Sequence, residues 1–180
     1  SFEVTGSSSN TAPVADAGPD RIVECASPAG TPVVLDGTGS TDPDGDPLTY
    51  TWTGPFPEGG GVVMGPTPAV TLPLGGPHVI TLDVEDPSGE TDSNTVEITV
   101  HDTASPLLTL ATTLIEVAPT SATGTVVDAL AASGALAVDA CDPAPVITHD
   151  GPVPPAEFAI GTTTAVTITA TDADASETGG

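Results

Sequence analysis

Several short stretches of this chain alternate apolar and polar residues with period two. In His78-Val-Ile-Thr-Leu-Asp-Val-Glu85, the residues Ile80, Leu82 and Val84 share one face, and Thr81, Asp83 and Glu85 share the other. Val96, Ile98 and Val100 alternate with Glu97 and Thr99, and Val166, Ile168 and Ala170 alternate with threonines. Successive side chains of a strand point to opposite faces, so these stretches predict half-buried strands. Turn signals recur between them at roughly 8–12-residue spacing, as in sandwiches of short antiparallel strands. The chain has 20 Pro, which remove helix donors wherever they fall. Ala129–Ala137 is rich in Ala and Leu, but Ser133-Gly134 interrupts it and favours strand or loop. The class predicted is all-β. A length of 180 residues suits two domains of about 90 residues better than one. The boundary is expected at His101-Asp-Thr-Ala-Ser-Pro106, before a fresh apolar run that begins at Leu107.

Charge narrows the function. Lys plus Arg total 1 against 25 Asp plus Glu, a formal net charge of -24. Binding to nucleic acid or to anionic lipid needs clustered basic side chains, so both partners are excluded. Aromatic residues are 3%, too few for a base-stacking platform or a broad sugar-binding strip. Hydrophobic residues at 38% still provide a core, which argues against a disordered acidic chain. No apolar run approaches the roughly 18 residues of a membrane span. The chain opens at Ser1 without a basic-then-apolar leader, as expected of a processed product or an excerpt.

Catalysis finds no support. A Gly-x-Ser-x-Gly elbow, a His-Glu-x-x-His pair and a phosphate loop with Lys are all missing. His78, His101 and His149 stand apart, each suited to a surface. Carboxylate pairs occur by chance at this acidity. Ser40-x-Asp42-x-Asp44-Gly45 fits neither a sialidase Asp-box nor an EF-hand loop. Calcium is the serious candidate, because a hard cation wants several oxygens at about 2.3–2.6 Å. Asp42, Asp44 and Asp46 alternate on a tight loop, and Gly45 lets the backbone turn so that carbonyls can join them. The same loop also suits a solvated acidic turn or the surface of a protein adapted to high salt. A second, looser cluster, Asp102, Asp139 and Asp142, borders the domain junction, where each also suits a turn cap. Tyr50 and Trp52 share strand phase, which fits a core Trp between sheets better than a sugar-stacking pair.

The two cysteines, Cys25 and Cys141, fall one in each domain. If the strand Leu136–Ala140 buries Leu136 and Val138, Cys141 faces away from its own core. That phase favours a bridge from Cys25 to Cys141, with two free thiols or an intermolecular bridge as the alternatives.

Ala15-Asp-Ala-Gly-Pro-Asp20, Val34-Leu-Asp-Gly-Thr-Gly-Ser-Thr-Asp-Pro-Asp-Gly-Asp46, Tyr50-Thr-Trp52 and Val84-Glu-Asp86 together give residues 10–102 their resemblance to a polycystic-kidney-disease (PKD) domain. That family is an immunoglobulin-like sandwich common in bacterial secreted proteins. Its calcium-binding members use the acidic loop, the Asn that opens the domain and an Asp ending a late strand. The resemblance thus implies Asn10, Asp42, Asp44 and Asp86 as ligands. Where the family often has an acidic turn after its Trp, this chain has Thr53-Gly-Pro-Phe-Pro57, which implies a remodelled turn. Residues 103–180 resemble a hyalin-repeat (HYR) module through Asp102-Thr-Ala-Ser-Pro106, Asp139-Ala-Cys-Asp-Pro-Ala-Pro145 and Phe158-Ala-Ile-Gly-Thr-Thr-Thr164 leading into Val166–Asp172. Many members carry a second cysteine where this chain has Ile168, so a bridge inside this domain is not expected.

Modules of the second type end on a strand of the kind Ser-Phe-x-Val-x, whereas this chain closes on Ser176-Glu-Thr-Gly-Gly180. Ser1-Phe-Glu-Val-Thr-Gly6 has the matching pattern, with Phe2 and Val4 on one face and Glu3 and Thr5 on the other. The alternative is an edge strand of the first domain. The organisation expected is a terminal strand at 1–6 and a linker at 7–10. A PKD-like sandwich at 11–102 and an HYR-like sandwich at 103–180, lacking its final strand, follow. The function expected is a non-enzymatic, calcium-stabilised subunit or repeat of an extracellular filament, stalk or adhesin. Copies would join head-to-tail as Phe2–Thr5 pairs near Val166, Ile168 and Ala170 of the preceding unit. The alternative is an accessory polymer- or carbohydrate-binding module of a secreted hydrolase.

Overall fold

The computed structural model describes residues 9–111, 125–126, 134–142, 144–150, 157–158 and 166–171. The expected assembly strand, Phe2 to Thr5, lies outside them. The chain divides into two compact units, Ser1–Thr103 and Ala104–Gly180.

The first unit holds strands β1 (Arg21–Glu24), β2 (Thr31–Val34), β3 (Thr49–Thr53), β4 (Val62–Met64), β5 (Ala69–Leu72), β6 (Gly75–Glu85) and β7 (Thr91–His101). Five form one sheet in the order β1-β7-β6-β3-β4, and β2 pairs with β5 in a second. Within the first sheet β1 runs parallel to β7, and β3, β4, β6 and β7 pair antiparallel. The alternation seen in the sequence sets the inner face. Ile80, Leu82 and Val84 of β6 and Val96, Ile98 and Val100 of β7 are all buried, as are Val33, Val70 and Leu72 of the smaller sheet. Trp52 is 0% exposed at the centre of this core. Gly37, just past β2, approaches so closely that an added Cβ would lie 3.0 Å from Trp52 Cζ2 and 3.1 Å from Leu82 Cδ2. A side chain there would press on both, so glycine suits this close approach.

The segment between β3 and β4 is remodelled around an apolar plug. Phe56 is buried, and a Cβ added at Gly54 would stand 2.7 Å from its ring and 3.0 Å from Ile80 Cγ1. A three-residue 3-10 turn, Glu58–Gly60, then brings the chain back, and Gly61 N–H donates to Glu58 O at 3.0 Å. Glu58 Oε2 accepts the Thr71 N–H at 3.1 Å, tying this turn to β5.

The second unit contains β8 (Leu107–Thr109), β9 (Thr125–Val126), β10 (Leu136–Val138), β11 (Val146–His149), β12 (Glu157–Phe158) and β13 (Ile168–Thr171) among the described residues. They pair antiparallel as β8 with β10, β9 with β12 and β11 with β13. One expectation is corrected here. Leu136 and Val138 are 60% and 58% exposed rather than buried, and Cys141 is buried. Alternation fixes that two faces differ, and packing decides which one turns inward.

Candidate functional site

The acidic loop is a self-capped turn. Asp42 Oδ1 accepts the N–H of Asp44 at 2.8 Å and of Asp46 at 3.1 Å, and Gly45 N–H donates to Asp42 O at 3.2 Å. This is the usual behaviour of Asp at a turn, where its short side chain substitutes for backbone acceptors. Gly45 has φ of 81°, the left-handed region that a residue with Cβ adopts at a cost.

The chain entering the first unit draws this loop toward the end of β6. Asn10 Nδ2 donates to Asp86 Oδ2 at 2.7 Å, and the N–H of the next residue, Thr11, donates to Asp44 Oδ2 at 2.7 Å. Four residues named from the sequence, Asn10, Asp42, Asp44 and Asp86, therefore belong to one connected network. Asp86 also closes the β6–β7 hairpin, its Oδ1 accepting from Ser88 N–H at 2.8 Å and Glu90 N–H at 3.0 Å. The Asn10 amide, above all, holds the Asp86 carboxyl below the usual range, with the N–H groups of Glu90 and Ser88 adding to it and burial opposing.

Asp42 Oδ2 is buried and accepts no hydrogen bond. A buried carboxylate oxygen without a partner is costly. The carboxylates of Asp42, Asp44 and Asp86 and the amide oxygen of Asn10 are the oxygen ligands a hard cation takes, so the residue types of this network fit calcium. Among the described residues, no three His, Cys, Asp or Glu side chains converge as a finished cage. Asp46 joins the network through its backbone.

The looser cluster behaves as turn caps. Asp139 Oδ1 accepts the N–H of Cys141 at 2.8 Å and of Asp142 at 3.1 Å, and Asp142 Oδ1 accepts the N–H of Ala144 at 2.8 Å. Asp102 lies in the segment that ends the first unit. Neither cysteine is free, and both are disulfide-bonded, so the chain carries the expected Cys25–Cys141 bridge. Trp52 Nε1 donates to Gly65 O at 3.0 Å inside the core, which removes the Trp from any sugar-stacking surface. On β13, Ile168 and Ala170 are half-buried and pair with His149 and Ile147 of β11, and Val166 just before it is half-buried too.

Carboxylates that the sequence reading passed over latch the strand β7 and its flanks. Ala15 N–H donates to Asp92 Oδ2 at 2.8 Å and Glu97 N–H to Asp20 Oδ1 at 2.8 Å. Thr103 donates through its N–H to Glu24 Oε1 at 2.8 Å and through its hydroxyl to Glu24 Oε2 at 2.9 Å. Each pair is more than 70 residues apart in sequence, so no local spacing announces it.

A family model described as the PKD domain matches residues 10–100, just over half of the chain. The chain belongs to the PKD domain family. Domains of this family are immunoglobulin-like, generally non-catalytic and typically extracellular. No curated protein matches the chain. Among solved structures, one similar chain is a nucleoside hydrolase-related hypothetical protein from Saccharophagus degradans that is associated with carbohydrate metabolism. It is 27% identical over 51% of this chain, with a TM-score of 0.40, and the match covers 26% of its own length. The PKD domain of the KIAA 1837 protein is 27% identical over 54% of this chain and 93% of its own, with a TM-score of 0.39. The PKD1 domain of Vibrio anguillarum Epp is 26% identical over 52% of this chain and 100% of its own, with a TM-score of 0.37.

Proposed function

We propose that this PKD-family chain is a non-enzymatic building block of an extracellular filament, stalk or large adhesin, stabilised by calcium and joined head-to-tail to copies of itself. The observation that carries the calcium reading is the buried, unpartnered Asp42 Oδ2 within the Asn10–Asp86 and Thr11–Asp44 network. Asn10, Asp42, Asp44 and Asp86 are the residues that would hold the ion, with Asp46 on the same loop. Calcium supplies positive charge to a chain of formal net charge -24, which relieves self-repulsion as well as filling the site.

Assembly rests on a strand edge. Of the two edges of β13, β11 occupies one, and no strand pairs with the other among the described residues. An unpaired row of N–H and C=O groups is a template for a further strand. The alternating Ser1–Gly6 segment of a neighbouring copy suits that role, completing an HYR-like second sandwich near Val166, Ile168 and Ala170. Because donor and acceptor are different surfaces, the contact does not close on itself and builds filaments or linear arrays.

Sedimentation velocity in calcium tests the reading on the full chain and on a variant lacking residues 1–6. The full chain is expected to form a ladder of linear oligomers, and the variant to remain monomeric with Trp52 still in a folded core. Equal assembly of the two would refute the proposal.

A further inference from the structure

Cys25 and Cys141 divide the chain unevenly. Residues 26–140, with strands β2 to β10 and the Trp52 core, lie between them. Only β1 precedes the bridge, and β11 to β13 follow it. The two covalent exits from the first unit lie side by side. β1 runs parallel to β7 with Glu24 opposite His101, and Cys25 N–H donates to His101 O at 2.7 Å. The peptide exit follows at once, because the unit ends at Thr103, whose N–H and hydroxyl both donate to the Glu24 carboxylate. From this corner the peptide route to the N-terminus runs back through β7 and the whole core. The disulfide route reaches it through β1 and the entry segment alone.

Hydrogen bonds pin that segment to the body of the unit, Asn10 to Asp86, Val14 to Thr41 and Glu97 to Asp20 among them. Such contacts rupture long before an S–S bond does. Tension therefore settles on the shortest covalent path once they yield. Both sulfurs belong to buried residues, Cys25 at 7% and Cys141 at 3% exposure, which limits the access of a reducing thiol.

We propose that the Cys25–Cys141 bridge is a load bypass. Tension applied upstream of Cys25 and downstream of Cys141 crosses between the units through the disulfide, and residues 26–140 carry none of it. Straightening residues 10–24 releases about 15 residues, or roughly 50 Å, and the bridge then withholds about 400 Å of further extension from each chain. In the proposed head-to-tail array, load enters through Ser1–Gly6 and leaves near β13, on the outer side of each cysteine. The use of the bypass rests on that reading, whereas its test on single chains does not.

The test is single-molecule force spectroscopy on the full chain held at its two termini, oxidised and reduced, with and without Phe56→Ala. Oxidised chains are expected to reach full extension about 400 Å short of reduced ones. Reduced chains are expected to show a core-unfolding step that Phe56→Ala moves to lower force. In oxidised chains Phe56→Ala is expected to leave every rupture force unchanged, since Phe56 lies between β3 and β4, outside the loaded path. If the reduced chain does not fold, oxidised protein held at Ser88, in the exposed β6–β7 turn, and at the C-terminus puts β7 and the core under load. There Phe56→Ala is expected to lower the rupture force, and no change would overturn the proposal, because the bypass would then shield nothing. Equal full extension of oxidised and reduced chains overturns it too. So does a rupture force that Phe56→Ala lowers in oxidised chains held at their termini. None of these results bears on assembly through Ser1–Gly6, and a chain that stays monomeric in sedimentation leaves the bypass standing.

Discussion

Replacing Phe56 by Ala tests whether the remodelled β3–β4 segment closes the first unit by burying an aromatic plug. Phe56 is 4% exposed, and its ring lies so close to Gly54 that a Cβ added there would stand 2.7 Å from it. Removing a buried Phe side chain costs about 3–5 kcal/mol, from lost transfer energy and from the cavity that remains. Domains of this size are stable by about 5–15 kcal/mol, so the variant forfeits a large part of the total. In a unit of about 100 residues each kcal/mol shifts Tm by roughly 4–8 °C, which predicts a fall of about 12 °C or more. Trp52 is the sole Trp of the chain and is fully buried, so its fluorescence in a urea titration reports this unit alone. Phe56→Leu, which fills much of the same volume, is expected to cost less than about 1.5 kcal/mol. A Phe56→Ala midpoint within about 0.5 kcal/mol of the parent would show that the ring is not a packed plug.

Three further outcomes follow from the same structure. Gly37→Ala pushes a methyl group against Trp52 and Leu82 and should destabilise the first unit by about 1–3 kcal/mol in the same titration; an unchanged midpoint would contradict the close approach. Reduction of Cys25–Cys141 opens a loop of about 116 residues, and the chain-entropy model puts the loss near 4–5 kcal/mol, read as a lower Tm once both thiols become alkylatable. The carboxyls of Asp36, Glu58, Asp86 and Asp150 are all held low, chiefly by hydrogen bonds from Thr38, Thr71, Asn10 and Thr167 respectively. A depressed carboxyl contributes stability above its unfolded pKa and loses it as pH falls through the folded value. Tm should therefore drop below about pH 4, and a Tm still rising at pH 2 would contradict these contacts.

The sequence announced β6 and β7 because both cross the centre of a sheet with one face in the core. Strict alternation at Ile80–Val84 and Val96–Val100 survives there unmodified, and Trp52 followed from the same logic. The acidic network was legible only in part. The alternating Asp42, Asp44 and Asp46 mark the loop, whereas Asn10 and Asp86, 76 residues apart, came from the family resemblance. The orphaned Asp42 Oδ2 depends on how the loop folds over it, which no spacing encodes. At Leu136-Ala-Val138 the pattern gave two faces but not the inner one, because a short strand takes its orientation from what covers it. Phe56 was hidden by its setting, a lone aromatic between prolines that belongs to no periodic run.

Thermal unfolding of the full chain followed by Trp52 fluorescence, in millimolar calcium and in excess chelator at one ionic strength, tests the central claim most directly. A ligand bound only by the folded state adds RT ln(1 + [L]/Kd), about 2.7 kcal/mol at one hundred times Kd, or roughly 10 °C or more for a unit of this size. Calcium is expected to raise Tm by that order, sodium chloride at matched ionic strength by much less, and Asp42→Asn to abolish most of the difference. A Tm identical in calcium and chelator, or a rise that sodium chloride reproduces in full, would contradict a calcium site at Asn10, Asp42, Asp44 and Asp86.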